Sequence, residues 1–439
     1  MTTLHATARY ERAITELFNR RPEVMMPGLR RIGALAHSLG EPQRAFDAIH
    51  LTGTNGKTST ARMITALLVA AGEHVGTYTS PHLQDVRERF RIDGTPLAVD
   101  DLLAGLDALG PHIARIEDAL GEMVTFFEAS TALCLWAFAR ARVDTSVLEV
   151  GMGGRFDATN VVDARVAVIG RVALDHPQLG ATLGEVAWEK AGIVKDGATV
   201  ISANTDGAPA HVIDREAAER GATVAVLDRD FGVTDRTLTS GGQRIRLRGL
   251  DGDEHVVDLP LHGAHQALNA ACALAAVQAH VGRPLDRAAV RAGFAATRSP
   301  GRLELLAGPA GVPVLLDGAH NPAAMVLLAR ALRELHGSRR RVAVLGAMGD
   351  KDIGGIVDAL ATAADAVVLT RPDTPRSAPL TLLADSCAAA GLPVIDAIDD
   401  VGTAVRRAAQ LSGDHGMVVV TGSLYTVGDA RAALGAAAV

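Results

Sequence analysis

A two-domain α/β fold is predicted by three observations. Short apolar runs of strand character alternate with amphipathic helical stretches, a glycine-rich turn joins the first run to a helix, and the alternation restarts after a Ser-Pro-Gly linker near residue 300. The 439 residues also exceed one domain on the usual scale of ~150 residues each. Hydrophobic residues at 48% and charged residues at 21% supply ample core and exclude a disordered or fibrous chain.

In chain order, residues 48–52 read as a buried strand, followed by the turn and a helix over 58–71. Residues 74–78, 145–150 and 166–172 read as further strands, and 127–140, apolar on most faces, as a buried helix. Between 198 and 260 the texture changes. Residues 243–248 (QRIRLR) alternate strictly, and Gly241-Gly242 and Asp251-Gly252 mark turns, so a small antiparallel excursion is expected. Strands at 313–316, 341–345, 366–369 and 417–420 then carry the second domain, with 298–301 as the linker. The expected domains are 1–297 and 298–439.

A net charge of -7 and a pI near 6.1 argue against nucleic acid as a partner. No apolar run reaches the length of a membrane span, and the charged N-terminus lacks a signal-peptide core. The three cysteines, Cys134, Cys272 and Cys387, lie far apart in apolar contexts and read as small buried hydrophobes. A cytoplasmic protein, with no membrane partner, is expected. Only four lysines occur, Lys57, Lys190, Lys195 and Lys351, in a chain that otherwise uses arginine, so each of the four draws attention.

One of them ends the turn Gly53-Thr54-Asn55-Gly56-Lys57-Thr58-Ser59. Glycines let backbone N–H groups approach phosphate oxygens, a helix N-terminus adds positive potential, and a lysine reaches the terminal phosphates. Nucleotide binding is therefore expected here. Leu51 occupies the place of the first glycine of the longer, common phosphate loop, so this is a shortened form.

Further motifs follow in order: Thr79-Ser80-Pro81-His82, Thr125-Phe126-Phe127-Glu128, Leu148-Glu149-Val150-Gly151-Met152-Gly153-Gly154-Arg155-Phe156-Asp157-Ala158-Thr159-Asn160, Leu174-Asp175-His176, Glu189-Lys190-Ala191-Gly192, His265-Gln266 with Asn269, Pro300-Gly301-Arg302, Asp317-Gly318-Ala319-His320-Asn321-Pro322, Asp350-Lys351-Asp352 and Gly422-Ser423-Leu424-Tyr425. In this order and spacing the set resembles the folylpolyglutamate synthase / dihydrofolate synthase branch of the Mur ligase superfamily, over nearly the whole chain.

The resemblance implies a P-loop-type ATPase domain with a mostly parallel sheet, followed by a smaller Rossmann-like domain. It implies a monomeric ligase that takes ATP, L-glutamate and a folate-type acid and joins the last two through an acyl phosphate. Lys57 with Gly53, Thr54, Asn55, Gly56, Thr58 and Ser59 would hold the phosphates, Asn269 would stand on the adenine side, and Arg302, Asp317 and His320 would reach the nucleotide from the second domain. Ser80, Glu149 and His176 would serve two magnesium ions, joined by Lys190 once carbamylated, with Lys57, Lys190 and His176 as the catalytic set. Phe126, Phe127, Arg155 and Asp157 would line the acid-substrate pocket.

Taken alone, several of these residues have plainer readings. Glu149 and Asp317 could cap turns, Arg302 could be a linker charge, the phenylalanines could be core, and Lys190 beside Glu189 could be a surface ion pair. Lys351 and Asp352 could pair at a helix start, and Tyr425 could be core. The sequence also departs from the family pattern. The turn after His176, Pro177-Gln178-Leu179-Gly180, is one residue short, Gly170-Arg171 replace small hydroxyl residues, and Ser299 stands where an aromatic often precedes Pro-Gly-Arg. Two other readings follow: the same ligase chemistry on a different acid or amine, or a nucleotide-binding regulator with little turnover.

Overall fold

The structure is a computed structural model that describes residues 2–20, 27–175, 177–337 and 339–438. Among the described residues eight strands form the first sheet: β1 (Asp47–Thr52), β2 (Val75–Tyr78), β3 (Phe90–Ile92), β4 (Thr95–Pro96), β5 (Thr145–Glu149), β6 (Val166–Ile169), β7 (Thr199–Ser202) and β8 (Thr223–Val226). Their order is β4-β3-β2-β5-β1-β6-β7-β8, parallel except for β3 and β4 at one edge. Helices cover both faces, so the central strands β1, β5 and β6 are buried along nearly their whole length rather than on alternate residues. Ile49 and Leu51 of β1 enter one core with Ile64 and Leu68 of the helix Lys57–Ala70. Ala48 enters a second core on the other face with the buried helix Phe126–Ala141.

The chain winds outward from β1 in both directions, and such a switch point opens a crevice beyond the strands' carboxyl ends. β1 pairs with β5 on one side and β6 on the other, and Leu51 stands opposite Glu149. The two residues are thus delivered to the same edge by strand register.

The antiparallel excursion begins later than its expected start at residue 198. β7 and β8 still extend the parallel sheet, and the three-stranded sheet starts only with β9 (Gly232–Thr239), followed by β10 (Gly242–Arg248) and β11 (Glu254–Leu259). The polar helix Gly207–Glu219 and the half-exposed edge strand β8 weaken the apolar signal there. Likewise β6 ends at Ile169, because Asn204 captures the Val172 N–H with its side-chain oxygen and turns the chain away.

The last sheet holds β12 (Glu304–Ala307), β13 (Pro313–Leu316), β14 (Arg341–Leu345), β15 (Ala366–Leu369), β16 (Val394–Ala397) and β17 (Met417–Thr421), in the order β12-β13-β17-β14-β15-β16. All neighbours are parallel except β12 and β13. Among the described residues no helix is long and apolar enough to cross a membrane. All three cysteines are buried and free.

Candidate active site

The carboxyl ends of both parallel sheets face a common cleft of about 320 Å³. From the first sheet come residues 53–59, Ser80, Glu149, Gly151–Gly153 and Asp175; from the second come Arg302, Asp317, His320, Met348 and Ser423.

The phosphate loop is tightly confined. Gly53, at φ +150, passes so close to Gly170 that a Cβ would stand 3.0 Å from the Gly170 Cα. Gly56, at φ +85, lies under Asn269, whose side-chain oxygen would be 2.6 Å from a Cβ. Neither place admits a side chain without rearrangement. Thr54 fixes the loop's flank, donating to the Ala173 carbonyl and accepting its N–H, both at 2.9 Å. The Lys57 ammonium folds back to donate to the Gly53 carbonyl at 2.9 Å. Burial lowers its pKa, against the opposing pull of Glu149 and Asp175.

Glu149 is 1% exposed. Thr58 Oγ1 lies 3.0 Å from each of its oxygens, and the Ser80 N–H donates at 3.2 Å. Burial raises its pKa while Lys57 lowers it. One carboxylate with flanking hydroxyl groups at a phosphate loop is the hard-oxygen set that suits Mg²⁺, which takes few protein ligands and completes its shell with water and phosphate. Among the described residues no three His, Cys, Asp or Glu side chains form a metal cage of their own. His176 lies outside the described residues.

Lys190 is not the surface ion pair that its neighbour Glu189 suggests. It is 4% exposed and donates to the Gly53 carbonyl at 3.1 Å. Burial, reinforced by the Lys57 charge, lowers its pKa to about 7. The helix Leu183–Ala191 is short, and its one buried face carries Val186, Ala187 and Lys190 into the protein.

The second-domain residues reach the same cleft. Asp317 leaves the end of β13 and accepts the Leu303 and Ala319 N–H groups, both at 2.9 Å, so it shapes the loop as well as lining the cleft. Arg302 is held beside it, where burial lowers its pKa and Asp317 opposes the shift. His320 Nδ1 donates to the Gly318 carbonyl at 2.8 Å, and burial lowers its pKa to about 4, keeping the ring neutral.

Lys351, Ser423 and Tyr425, which the sequence motifs leave without a role, also line the cleft, together with Arg376, which no motif singles out. Lys351 and Asp175 form a 2.9 Å ion pair across the two halves, with side chains 8% and 7% exposed. Asn55 and Asn321 exchange amide hydrogen bonds of 3.3 and 3.2 Å across the same gap. The scarcity of lysine was the signal for Lys351. No local pattern marks the asparagine pair. Lys195, the fourth lysine, instead donates to the Asn160 carbonyl.

The residues expected around the acid substrate lie elsewhere than the cleft lining. Phe126 stacks on Phe18 at 4.9 Å and carries the Arg89 guanidinium over its ring. Phe127 lies against Gly151, where a Cβ would come 2.5 Å from its ring. Arg155 pairs with Glu216 at 2.8 Å and lies 4.0 Å over the Trp188 ring. Asp157 accepts the Gly151, Met152 and Thr159 N–H groups at 3.0–3.1 Å, fastening the loop from behind. Asn269 also stands behind the lining, over Gly56, donating to Gln266 at 3.1 Å.

Comparison with known proteins decides the family. The Mur ligase middle domain model matches residues 51–277, and the Mur ligase glutamate ligase domain model matches 301–424. The chain is 42% identical to the dihydrofolate synthase/folylpolyglutamate synthase of Mycobacterium tuberculosis, covering 95% of this chain and 92% of that one. It belongs to the folylpolyglutamate synthase / dihydrofolate synthase family of Mur ligases. Among solved structures, M. tuberculosis folylpolyglutamate synthase complexed with ADP matches at TM-score 0.93 and 40% identity, covering 98% of this chain and 99% of that one. E. coli FolC in complex with DHPP and ADP matches at TM-score 0.85 and 32% identity, over 97% and 98%. Within this Mur ligase family, the cleft described above holds the residues that sequence assigns to the nucleotide phosphates.

Proposed function

We propose that this protein is an ATP-dependent ligase that adds L-glutamate to a folate-type acid, dihydropteroate, tetrahydrofolate or both. The observation that carries this reading is the convergence of Lys57, Glu149 and Lys190 from one sheet with Arg302, His320 and Lys351 from the other on one cleft. The family and the substrates named for its solved members support it.

The γ-phosphate of ATP rests at the helix N-terminus behind Gly53–Ser59, and Lys57 turns from the Gly53 carbonyl toward it. The substrate carboxylate attacks that phosphorus, ADP leaves, and an acyl phosphate forms. The amino group of glutamate then attacks the acyl carbon, losing a proton, and phosphate departs as the amide forms. Lys57 and Arg302 offset charge on the transferring group, and positioning supplies much of the acceleration. Glu149, Thr58 and Ser80 are the residues that fit Mg²⁺, which would neutralise phosphate charge when bound; we assign His176 to the same role. Lys190 enters that set as a carbamate, which a buried amine of pKa about 7 supports because only the neutral amine takes up carbon dioxide. The neutral His320 stands at the nucleotide from the second domain. Phe126, Phe127 and the Gly151–Gly154 loop form the approach for the acid.

We further place the protein in the cytoplasm as a monomer, with domains dividing between 297 and 298. The bare link between the helix Arg287–Ala296 and β12 supports that division.

The test is glutamate-dependent phosphate release with ATP and Mg²⁺, with dihydropteroate and tetrahydrofolate supplied separately and the products weighed. A gain of one glutamyl unit on either acid supports the reading. If neither is ligated while Lys57-dependent ATP turnover persists, a ligase for another acid takes its place. The altered turn at Pro177–Leu179, whose Leu179 lines the cleft, favours that second reading.

A further inference from the structure

The helix Pro322–His336 touches the first domain at both ends. At its start the N-cap Asn321, which also accepts the Ala324 N–H at 2.8 Å, holds Asn55 of the phosphate loop. Fifteen residues span about 22 Å at the α-helical rise. Near the far end, Glu334 receives a two-pronged ion pair from Arg236 of β9, at 2.5 and 2.8 Å. The pair is partly shielded, with side chains 19% and 33% exposed. Arg236 is itself braced: its Nε donates to Gln243 on β10, and the fully buried Gln243 amide donates to the Leu261 and Gly263 carbonyls at 2.8 and 3.1 Å.

Gly263 is the N-cap of the helix Ala264–Val281, whose Gln266 donates to Ser59 at 3.2 Å. Both ends of this network therefore return to the phosphate loop, at Asn55 and at Ser59. A planar, bidentate arginine–carboxylate pair fixes orientation as well as distance.

We infer that Arg236 and Glu334 are positioning residues: their ion pair makes the small antiparallel sheet a dock for the second domain and seats the Asn321 end of its helix on the phosphate loop. The function of that three-stranded sheet is then to register the two halves of the cleft. The inference concerns how the cleft closes, and its link to rate rests on the ligase reading above.

The test is a charge exchange: Arg236→Glu, Glu334→Arg and the double exchange, with melting temperatures confirming that each folds. Each single reversal is expected to lower kcat/KM for glutamate on the order of tenfold, and the double exchange to restore it to within about threefold. Small-angle scattering with a non-hydrolysable ATP analogue reads closure whatever acid the enzyme uses. There the single variants should be more extended than the wild type and the double variant as compact. A wild type that ligates neither folate acid would overturn the ligase reading while leaving this second readout intact. Single variants that scatter as the wild type would overturn the dock, as would a folded double variant no better than its parents.

Discussion

The two walls of the cleft are built differently. The first-domain wall is built around a confined backbone loop, squeezed between Gly170 and Asn269, with Lys57 and Lys190 both donating to one carbonyl, that of Gly53. The second-domain wall is made of the Arg302 side chain and of side chains on the loops after β13, β14 and β17, and polar contacts tie it to the first wall: Asn321 to Asn55 and Lys351 to Asp175. A backbone loop at a helix N-terminus favours phosphate through fixed N–H groups. A wall of side chains can be withdrawn and returned, which lets the cleft admit substrates and then exclude water from a reactive acyl phosphate.

The largest expected effect tests the first wall. On the mechanism proposed above, Lys57→Ala should lower ligation by about a thousandfold, because that mechanism loses its charged donor to the transferring phosphate in a buried site. The melting temperature should change little, since Lys57 is an internal cost as well as a ligand: burial lowers its pKa. Steady-state phosphate release and a melting curve on the same sample check this. A variant retaining a tenth of wild-type activity would remove Lys57 from the reaction.

The second wall is tested by Lys351→Met, expected to lower kcat/KM for glutamate by about 10- to 100-fold, as losing one partner of a shielded ion pair commonly costs several kcal/mol. Nucleotide affinity, to which the phosphate loop, Arg302 and His320 contribute without Lys351, should hold within about threefold. Equal losses in both quantities would show that the two walls do not divide the work this way.

The same contrast explains what was legible in the sequence. The β1–loop–helix unit is local: strand, glycines, lysine and helix occupy consecutive positions, and the helix starts at Lys57, one residue before its expected start. Strands 313–316, 341–345 and 366–369 stand where their apolar runs place them, because strands buried on both faces need no alternation. The exposed edge strand β16 has no such run and was not anticipated. The burial of Lys190 was hidden because its neighbour Glu189 suggests solvent, while the face that buries it is set by how the helix meets Gly154 and Gly53. Asn55 and Asn321 are 266 positions apart, and nothing short of the assembled cleft relates them.

Lys190 gives a comparison by pH. Its folded pKa of about 7 lies below the ordinary lysine value, so the unfolded chain binds the extra proton between those two values. The burden of burying the ammonium is therefore full below pH 7 and fades as pH rises toward the ordinary lysine range. Relative to Lys190→Met, the wild type without nucleotide, in CO2-free buffer, should gain stability from pH 6 to pH 9, by an amount on the order of a few kcal/mol. Urea unfolding of both proteins at the two pH values measures it. Parallel pH profiles would place Lys190 in a wetter site than the cleft described.

The smallest expected effect separates the cleft from the loop behind it. Arg155 pairs with Glu216 and covers Trp188, and it also donates to the Trp188 carbonyl at 3.1 Å, so its charge is directed toward the helices rather than the cleft. Arg155→Gln should lower stability by about 1 kcal/mol, the sum of a partly shielded ion pair and a cation–π contact. The KM for the acid should stay within about twofold, as expected of a residue away from the substrate. A tenfold rise in that KM with an unchanged melting temperature would return Arg155 to the acid pocket. The approach for the acid would then run past Trp188 as well as past Phe126 and Phe127, widening the part of the site that is built from side chains.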